Sequence, residues 1–286
     1  MEWWQAVVLG VVEGVTEFLP VSSTGHLILA QRALGIPDDD AAKAYAICIQ
    51  AGAILAVLGL YWRHARAMAL GLLGRDPQGM RLALNIFVAY LPAAVVGYFS
   101  HELIKDLFNL WAVVGAWLVG GILLLVVAPQ TAPRLAPPGR TQPKGRTKPE
   151  GWRGIEDLTL PAAFVIGLFQ VLALWPGTSR SLVTILGGLA VGLALPAAVE
   201  FSFLLGVVTL LAATGYEGLK YRHVLAHSYT GTSMGIGFVL AALTAAASVA
   251  WMVSYLNRHG LALFGYYRVA LAAVVGALLL SGWLLP

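Results

Sequence analysis

The chain is organised as long apolar segments separated by short polar connections. Six segments approach or reach the roughly 20 residues that cross the hydrocarbon core of a bilayer. They occupy residues 44–61, 82–99, 111–127, 198–214, 235–256 and 262–284. This pattern predicts an all-α polytopic membrane protein, because a membrane-spanning helix satisfies every backbone polar group within itself.

Two further apolar stretches, residues 4–34 and 160–192, are interrupted near their centres. Pro20 and the polar residues after it break the first stretch, and Pro176 with Gly177 breaks the second. Each stretch then consists of two helices of about a dozen residues, too short to cross a bilayer. Such an arrangement suits a re-entrant hairpin, whose non-helical backbone is tolerated where protein or a cavity covers it.

The order of one broken stretch followed by three spans occurs twice. Gly-Val-Val-Glu at 10–13 resembles Gly-Leu-Phe-Gln at 167–170, and Pro-Val-Ser-Ser at 20–23 resembles Pro-Gly-Thr-Ser at 176–179. Because three spans is an odd number, the second repeat is predicted to be inverted, with the binding site at the repeat interface. The predicted divisions are a first repeat at 1–128, a linker at 129–157 and a second repeat at 158–286.

The composition supports a membrane location, and the charges predict an orientation. Hydrophobic residues make up 59% of the chain and charged residues 11%, with a mean hydropathy of +0.78. The net charge of +4 does not indicate a nucleic-acid partner, because the basic residues gather in the connection at 62–81 and in the Pro-rich linker. The positive-inside rule places both connections in the cytoplasm. The acidic residues 38–40 and both termini then lie outside.

Glu13 and Glu17 are four residues apart, so a helix places their carboxylates on one face. Two unneutralised carboxylates at membrane depth are costly. The pair is therefore expected to face a cavity, share a proton or hold a cation, unless a shallow helix lets it reach the headgroups. Mg²⁺ or Ca²⁺ suits the third case, since one or two carboxylates plus phosphate oxygens commonly bind such an ion.

Hydroxyl groups and a histidine follow the first break. Ser22, Ser23 and Thr24 stand where a new helix begins, so a serine there would cap free backbone N–H groups. His26 lies three residues after Ser23, on the same side of the helix, and is a candidate base for a serine nucleophile. Alternatively, His26 itself is the nucleophile and attacks the phosphorus atom of a phosphate substrate.

The second break carries Thr178, Ser179, Arg180 and Ser181 at another helix start. Free N–H groups and the positive helix end favour an anion there, and the guanidinium fork of Arg180 suits phosphate oxygens. Arg180, interpreted as the lone intramembrane arginine, is predicted to bind substrate phosphate, an acidic residue of the first break, or both. These groups together favour phosphoryl transfer. The alternative is a transporter or lipid flippase, because inverted repeats with broken helices are a transporter architecture.

Residues 13–26, Glu-Gly-Val-Thr-Glu-Phe-Leu-Pro-Val-Ser-Ser-Thr-Gly-His, and residues 176–181, Pro-Gly-Thr-Ser-Arg-Ser, carry a family resemblance. They resemble the two signature motifs of the bacterial undecaprenyl-diphosphate phosphatases linked to bacitracin resistance. The resemblance covers essentially the whole chain in order and spacing. Leu182 departs from the pattern, because many members have glycine there.

The resemblance implies hydrolysis of undecaprenyl diphosphate to the monophosphate, which recycles the carrier lipid for peptidoglycan. It also implies a bacterial plasma-membrane location, dependence on a divalent cation and, as in at least some members, a homodimer. Whether Ser23 or His26 is the nucleophile stays open. The functional residues that the resemblance carries over are Glu13, Glu17, Ser23, His26 and Arg180.

Overall fold

The computed structural model describes residues 1–37, 39–107, 109–131, 153–224 and 231–284. Asp38 and most of the predicted linker lie outside these residues. Within them the chain forms α-helices, two short 3-10 helices and one isolated β-bridge. The α-helices are α1 Trp3–Thr16, α2 Ser23–Ala33, α3 Asp40–Leu60, α4 Trp62–Leu72, α5 Pro77–Asp106, α6 Leu110–Thr131, α7 Leu160–Val171, α8 Arg180–Ala190, α9 Leu195–Lys220, α10 Gly231–His259 and α11 Ala262–Leu280.

Six helices of the described residues, α3, α5, α6, α9, α10 and α11, are long and apolar enough to cross a membrane. Their outward surfaces remain apolar, and on α6 the side chains of Val119, Ile122, Leu123 and Val126 are exposed. Lipid is the environment that such a surface suits. The predicted all-α polytopic class is therefore confirmed, whereas the boundaries of the repeats stay predictions.

Helix α4 lies inside the basic connection at residues 62–81, for which the sequence pattern predicts no helix. It begins directly after α3 and packs along α5. Its approach to α5 is close, because a Cβ on Gly71 would collide with the backbone of Met80. A short amphipathic helix between two spans suits the membrane interface better than the bilayer interior.

Both interrupted stretches form two short helices joined by a break with the same backbone conformation. Ser22 and Ser179 each have a φ of 75°, and no other non-glycine residue among those described has a positive φ. Each serine caps the helix that follows, because its hydroxyl accepts a hydrogen bond from the backbone N–H of Gly25 or Leu182. Such backbone costs about 1–3 kcal/mol per residue and persists only where the surroundings enforce it.

The two breaks define how the halves correspond. Ser22 and Ser179 are separated by 157 residues, as are Glu13 and Gln170. The alignment of Pro20 with Pro176 would pair Ser23 with Ser179, and it is wrong by one residue, because the strained capping position is Ser22. Arg180 therefore occupies in the second half the position that Ser23 occupies in the first.

The helices of one half pack on those of the other. α1 packs along α10, and its counterpart α7 packs along α5. The equivalent residues Gly10 and Gly167 permit both approaches, since a Cβ would lie 2.6 Å from the carbonyl oxygen of Gly237 or Ala89. The first spans α3 and α9 also contact each other, as do the third spans α6 and α11. This exchange is typical of paired structural repeats, although their predicted inversion stays a prediction.

Candidate active site

The two breaks meet at a cavity of about 220 Å³. Among the predicted site residues it is lined by Glu17, Ser22, Ser23, Thr24, Ser179 and Arg180. Its other polar lining residues include Gln50, Gln170 and Thr209, and apolar side chains such as Ala93, Leu174 and Leu210 complete it. The site is thus joint between the two halves, with both polar and apolar walls.

Glu17 joins the chemistry of the two breaks. One of its carboxylate oxygens accepts a hydrogen bond from Ser23 Oγ, and the other lies 3.4 Å from Arg180 Nη2. The side chains of Glu17 and Arg180 are 6% and 10% exposed. Removing one partner of such a buried pair leaves an uncompensated charge, which costs about 3–5 kcal/mol.

The Arg180 guanidinium is held on several sides and still has a free donor. Its Nη1 donates to the carbonyl oxygen of Ser202 at 3.1 Å, and its Cζ lies 5.6 Å from the centre of the Phe18 ring. Its Nε is buried and has no hydrogen-bond partner among the described residues. Because Arg180 lines the cavity and is fixed in this way, its guanidinium suits an incoming anion.

The remaining hydroxyls of the second break hold the two breaks together. Ser181 Oγ donates to the carbonyl oxygen of Leu19 at 2.9 Å and lies 3.0 Å from Ser179 Oγ. Ser179 lines the cavity, whereas Ser181 is fully buried outside it. Thr178 also lies outside the cavity lining, and its backbone N–H donates to Trp175. Of these three, only Ser179 is placed to touch a ligand in this cavity.

Glu13 lies one helical turn behind Glu17. It is 1% exposed, does not line the cavity, and its Oε1 has no hydrogen-bond partner among the described residues. Its counterpart Gln170 is equally buried and leaves Nε2 unpartnered. The first half thus keeps a buried carboxylate where the second has a neutral amide.

The divalent cation implied by the family resemblance fits these glutamates in donor type. The unpartnered Oε1 of Glu13 is an acceptor that a hard cation would satisfy. Glu17 already contacts Ser23 and Arg180, so it would have to exchange one contact. No group of three or more potential His, Cys, Asp or Glu ligands occurs among the described residues. Substrate phosphate oxygens would therefore have to complete the coordination.

His26 is bound to groups other than Ser23. Its Nδ1 lies 2.6 Å from the carbonyl oxygen of Ser22, which can only accept, so Nδ1 carries the proton. In the neutral ring Nε2 then accepts from the Tyr267 hydroxyl at 2.6 Å, and the two rings stack with centroids 5.7 Å apart. The predicted pair of Ser23 and His26 is not formed in this structure, because Ser23 is bonded to Glu17.

Helix α11 supplies two residues that the sequence interpretation missed. Tyr267 binds His26, and the neighbouring Arg268 is fully buried beneath the breaks. The interpretation of Arg180 as the lone intramembrane arginine was wrong, because Arg268 also lies within a span. Its signal was visible as an arginine inside the apolar segment 262–284.

The fold and the cavity define a class: a polytopic membrane protein whose hydroxyl, carboxylate and guanidinium groups meet between two helix breaks. This set of groups suits phosphoryl transfer. The family model described as "Bacitracin resistance protein BacA" matches residues 6–274. The chain belongs to this family.

Similar proteins cover nearly the whole chain. An undecaprenyl-diphosphatase of Sorangium cellulosum is 43% identical over 277 residues, 96% of this chain and 86% of that one. The undecaprenyl-diphosphatase of Methylococcus capsulatus is 41% identical over 276 residues, 96% and 94% of the two chains. That of Campylobacter jejuni is 36% identical over 282 residues, 99% and 96%. These findings confirm the resemblance that the two motifs carry.

Proposed function

We propose that this chain is an undecaprenyl-diphosphate phosphatase, which hydrolyses undecaprenyl diphosphate to undecaprenyl phosphate and inorganic phosphate. The contact of Glu17 with both Ser23 and Arg180 carries the proposal, because it joins a nucleophile, a base and an anion-binding group in one cavity. Membership of the BacA family and relatives named undecaprenyl-diphosphatase support it. The reaction returns the carrier lipid to cell-wall synthesis and accounts for bacitracin resistance.

The cavity suits a lipid diphosphate. Arg180, Ser179 and the start of α8 form a polar end for the diphosphate. Ala93, Leu174 and Leu210 line an apolar part, so the first units of the prenyl chain would pass there towards the bilayer. Binding the tail in lipid and the head in the cavity holds the terminal phosphate beside Ser23.

Ser23 is our proposed nucleophile. Its Oγ attacks the terminal phosphorus while its proton passes to the Glu17 carboxylate that already accepts its hydrogen bond. The bond from that phosphorus to the bridging oxygen breaks, and undecaprenyl phosphate leaves with the electron pair. Glu17 then gives this proton to the departing undecaprenyl phosphate and is a carboxylate again. Water attacks the phosphoserine while Glu17 accepts its proton, the bond between phosphorus and Ser23 Oγ breaks, and inorganic phosphate departs as Glu17 returns the proton to Oγ. Arg180 stabilises the charge on the phosphoryl oxygens in both steps.

His26 has a supporting role in this proposal, because Tyr267 occupies its Nε2. Direct attack by His26 would first require that hydrogen bond to break. Glu13 and Glu17 are the proposed ligands of Mg²⁺ or Ca²⁺, and such an ion, when bound, would neutralise phosphate charge. Of the phosphate-binding residues that the sequence predicts, we keep Arg180, Ser179, Ser22 and Thr24, which line the cavity. Thr178 and Ser181 lie outside its lining, so we propose that they support the second break and do not touch phosphate.

Release of inorganic phosphate from a short-chain prenyl diphosphate by the purified protein in detergent tests the function. We expect turnover that requires a divalent cation and leaves the prenyl monophosphate as the other product. Absence of phosphate release from folded protein, combined with lipid movement across reconstituted vesicles, would instead support the transporter alternative.

We place the protein in the bacterial inner membrane with both termini on the outer side, because six spans return the chain to its starting face. The two hairpins would then open to opposite faces, and we favour an outward-facing site. Labelling of a cysteine near either terminus by an impermeant thiol reagent from the cytoplasmic side would contradict this orientation. The homodimer stays a prediction, which the mass of the detergent-solubilised particle tests.

A further inference from the structure

Arg268 of α11 is a charged residue that the proposed reaction does not use. Its side chain has no exposed surface. Its Nη1 donates to the carbonyl oxygen of Pro20 at 3.3 Å, and its Nη2 donates to Ala116 at 2.7 Å and Gly177 at 3.0 Å. One guanidinium thus binds the first break, the second break and helix α6.

The two break carbonyls are equivalent. Pro20 and Gly177 are separated by the same 157 residues that separate Ser22 from Ser179. Each stands two residues before the capping serine, in backbone that lies outside any helix. Carbonyl groups at such a break have no helical partner, so Arg268 supplies the same missing donor to both halves.

The environment of Arg268 shows what the charge is used for. No carboxylate pairs with it among the described residues, and its Nε has no hydrogen-bond partner there. Gly120 of α6 makes the space for this side chain, since a Cβ at that position would lie 2.5 Å from Arg268 Nη2. A buried cation is costly, so its place at the convergence of three carbonyl groups indicates a specific geometric role.

We propose that Arg268 is a positioning residue that fixes the separation of the two breaks, and therefore the distance from Ser23 and Glu17 to Arg180. Ser23 lies three residues after Pro20, and Arg180 lies three residues after Gly177. A displacement of one break relative to the other would move nucleophile and anion holder apart. Misplacement by about 1 Å is enough to cost about a hundredfold in rate. The inference rests on the proposed phosphatase function.

Arg268→Gln tests the proposal in the purified full-length protein. We expect kcat for a short-chain prenyl diphosphate to fall about a hundredfold, while KM changes by less than about threefold because Arg180 still binds phosphate. Tyr45→Phe is the matched control, since it removes a buried interhelical hydrogen bond to Ala6 remote from the breaks. The control should lower the melting temperature and keep kcat. An unchanged kcat in folded Arg268→Gln would overturn the proposal.

A double-mutant cycle with Arg180→Lys separates positioning from general support of the fold. If Arg268 acts by placing Arg180, replacing it should matter less once Arg180 is already altered. The factor by which Arg268→Gln lowers kcat in the Arg180→Lys background should then be less than about a fifth of the factor in the wild type. Losses that multiply independently would overturn the proposal.

Arg268→Lys serves the same cycle if the glutamine variant does not fold, because lysine keeps the charge and loses the fork. Its kcat should be at least tenfold below that of the wild type. Where Arg268→Gln also folds, the kcat of Arg268→Lys should lie between those of the wild type and Arg268→Gln. A wild-type kcat in Arg268→Lys would overturn the proposal. Absence of phosphate release by the wild-type protein would instead contradict the proposed function itself, and the two failures are therefore distinguishable.

Discussion

The two helix breaks share a backbone and differ in nearly every functional side chain. Ser22 and Ser179 have the same positive φ and the same capping role. At four other equivalent positions the functional residue of the first break is replaced by a residue of different chemistry in the second. These pairs are Glu13 and Gln170, Glu17 and Leu174, Ser23 and Arg180, and His26 and Val183.

This difference explains why one site forms from two similar halves. The first break supplies a carboxylate and a hydroxyl, and the second supplies a guanidinium and no acidic residue of its own. In the reaction that we propose, two copies of the first break would repel the diphosphate, and two copies of the second would lack a base. Opposite charges on the breaks also attract each other through Glu17 and Arg180. The shared backbone sets the geometry, and the divergent side chains divide the chemistry.

The largest effect is expected from removing the hydroxyl of the first break. Ser23→Ala should lower phosphate release at saturating Mg²⁺ or Ca²⁺ by at least about a thousandfold, because added cation cannot replace a covalent nucleophile. Ser248→Ala is a matched control, since it removes another buried serine, which donates to Gly14 at 3.0 Å outside the cavity. Substantial turnover by Ser23→Ala, with a phosphorylated His26 trapped by an alkaline denaturing quench, would show that the histidine attacks.

A smaller loss is expected at the equivalent position of the second break. Arg180→Lys keeps the charge and loses the planar fork that contacts Glu17 and Ser202 together. Phosphatase activity should fall at least about tenfold with unchanged folding in detergent. Arg222→Lys, at an exposed site, should leave the rate unchanged. Near-normal turnover by Arg180→Lys would show that the guanidinium of the second break is not needed for the reaction.

Local sequence signals predicted most of the fold and part of the site. The spans followed from segment length, and the breaks followed from proline beside small polar residues. The contact between Glu17 and Arg180 was one of the alternatives stated for Arg180, because a charge within an apolar stretch requires a partner. The pairing of the halves was one residue out, since the sequence repeats a proline where the backbone repeats a strained serine.

The remaining contacts depend on residues far apart in the sequence. Tyr267 reaches His26 across 241 residues, and no local pattern announces that hydrogen bond. It changes the interpretation of His26, because spacing alone placed the imidazole beside Ser23. Arg268 was visible as a charge within an apolar segment, yet only the folded chain shows the three carbonyl groups that it binds.

An exchange between the halves tests whether their charge difference sets substrate affinity. Gln170→Glu would place the carboxylate of Glu13 at the equivalent position, in the cavity wall of the second half. Repulsion of the diphosphate should raise KM about fivefold with a smaller change in kcat. The reciprocal Glu13→Gln should leave KM for the prenyl diphosphate unchanged and raise the cation concentration that gives half-maximal activity. An unchanged KM in Gln170→Glu would mean that the neutral amide does not matter for the anion.

The smallest effects should be the same in both breaks, because they concern the backbone that the halves share. Ser22→Ala and Ser179→Ala each remove a helix cap and keep the Cβ at a φ of 75°, so each should cost about 1 kcal/mol of stability. Glycine at either position also loses the cap but tolerates this backbone, so its melting temperature in detergent should exceed that of the alanine variant. Thr159, which caps α7 with a φ of −97°, provides the control, since its alanine and glycine variants should differ less. If alanine proves more stable than glycine at Ser22 or at Ser179, the strained backbone is not what the two breaks have in common.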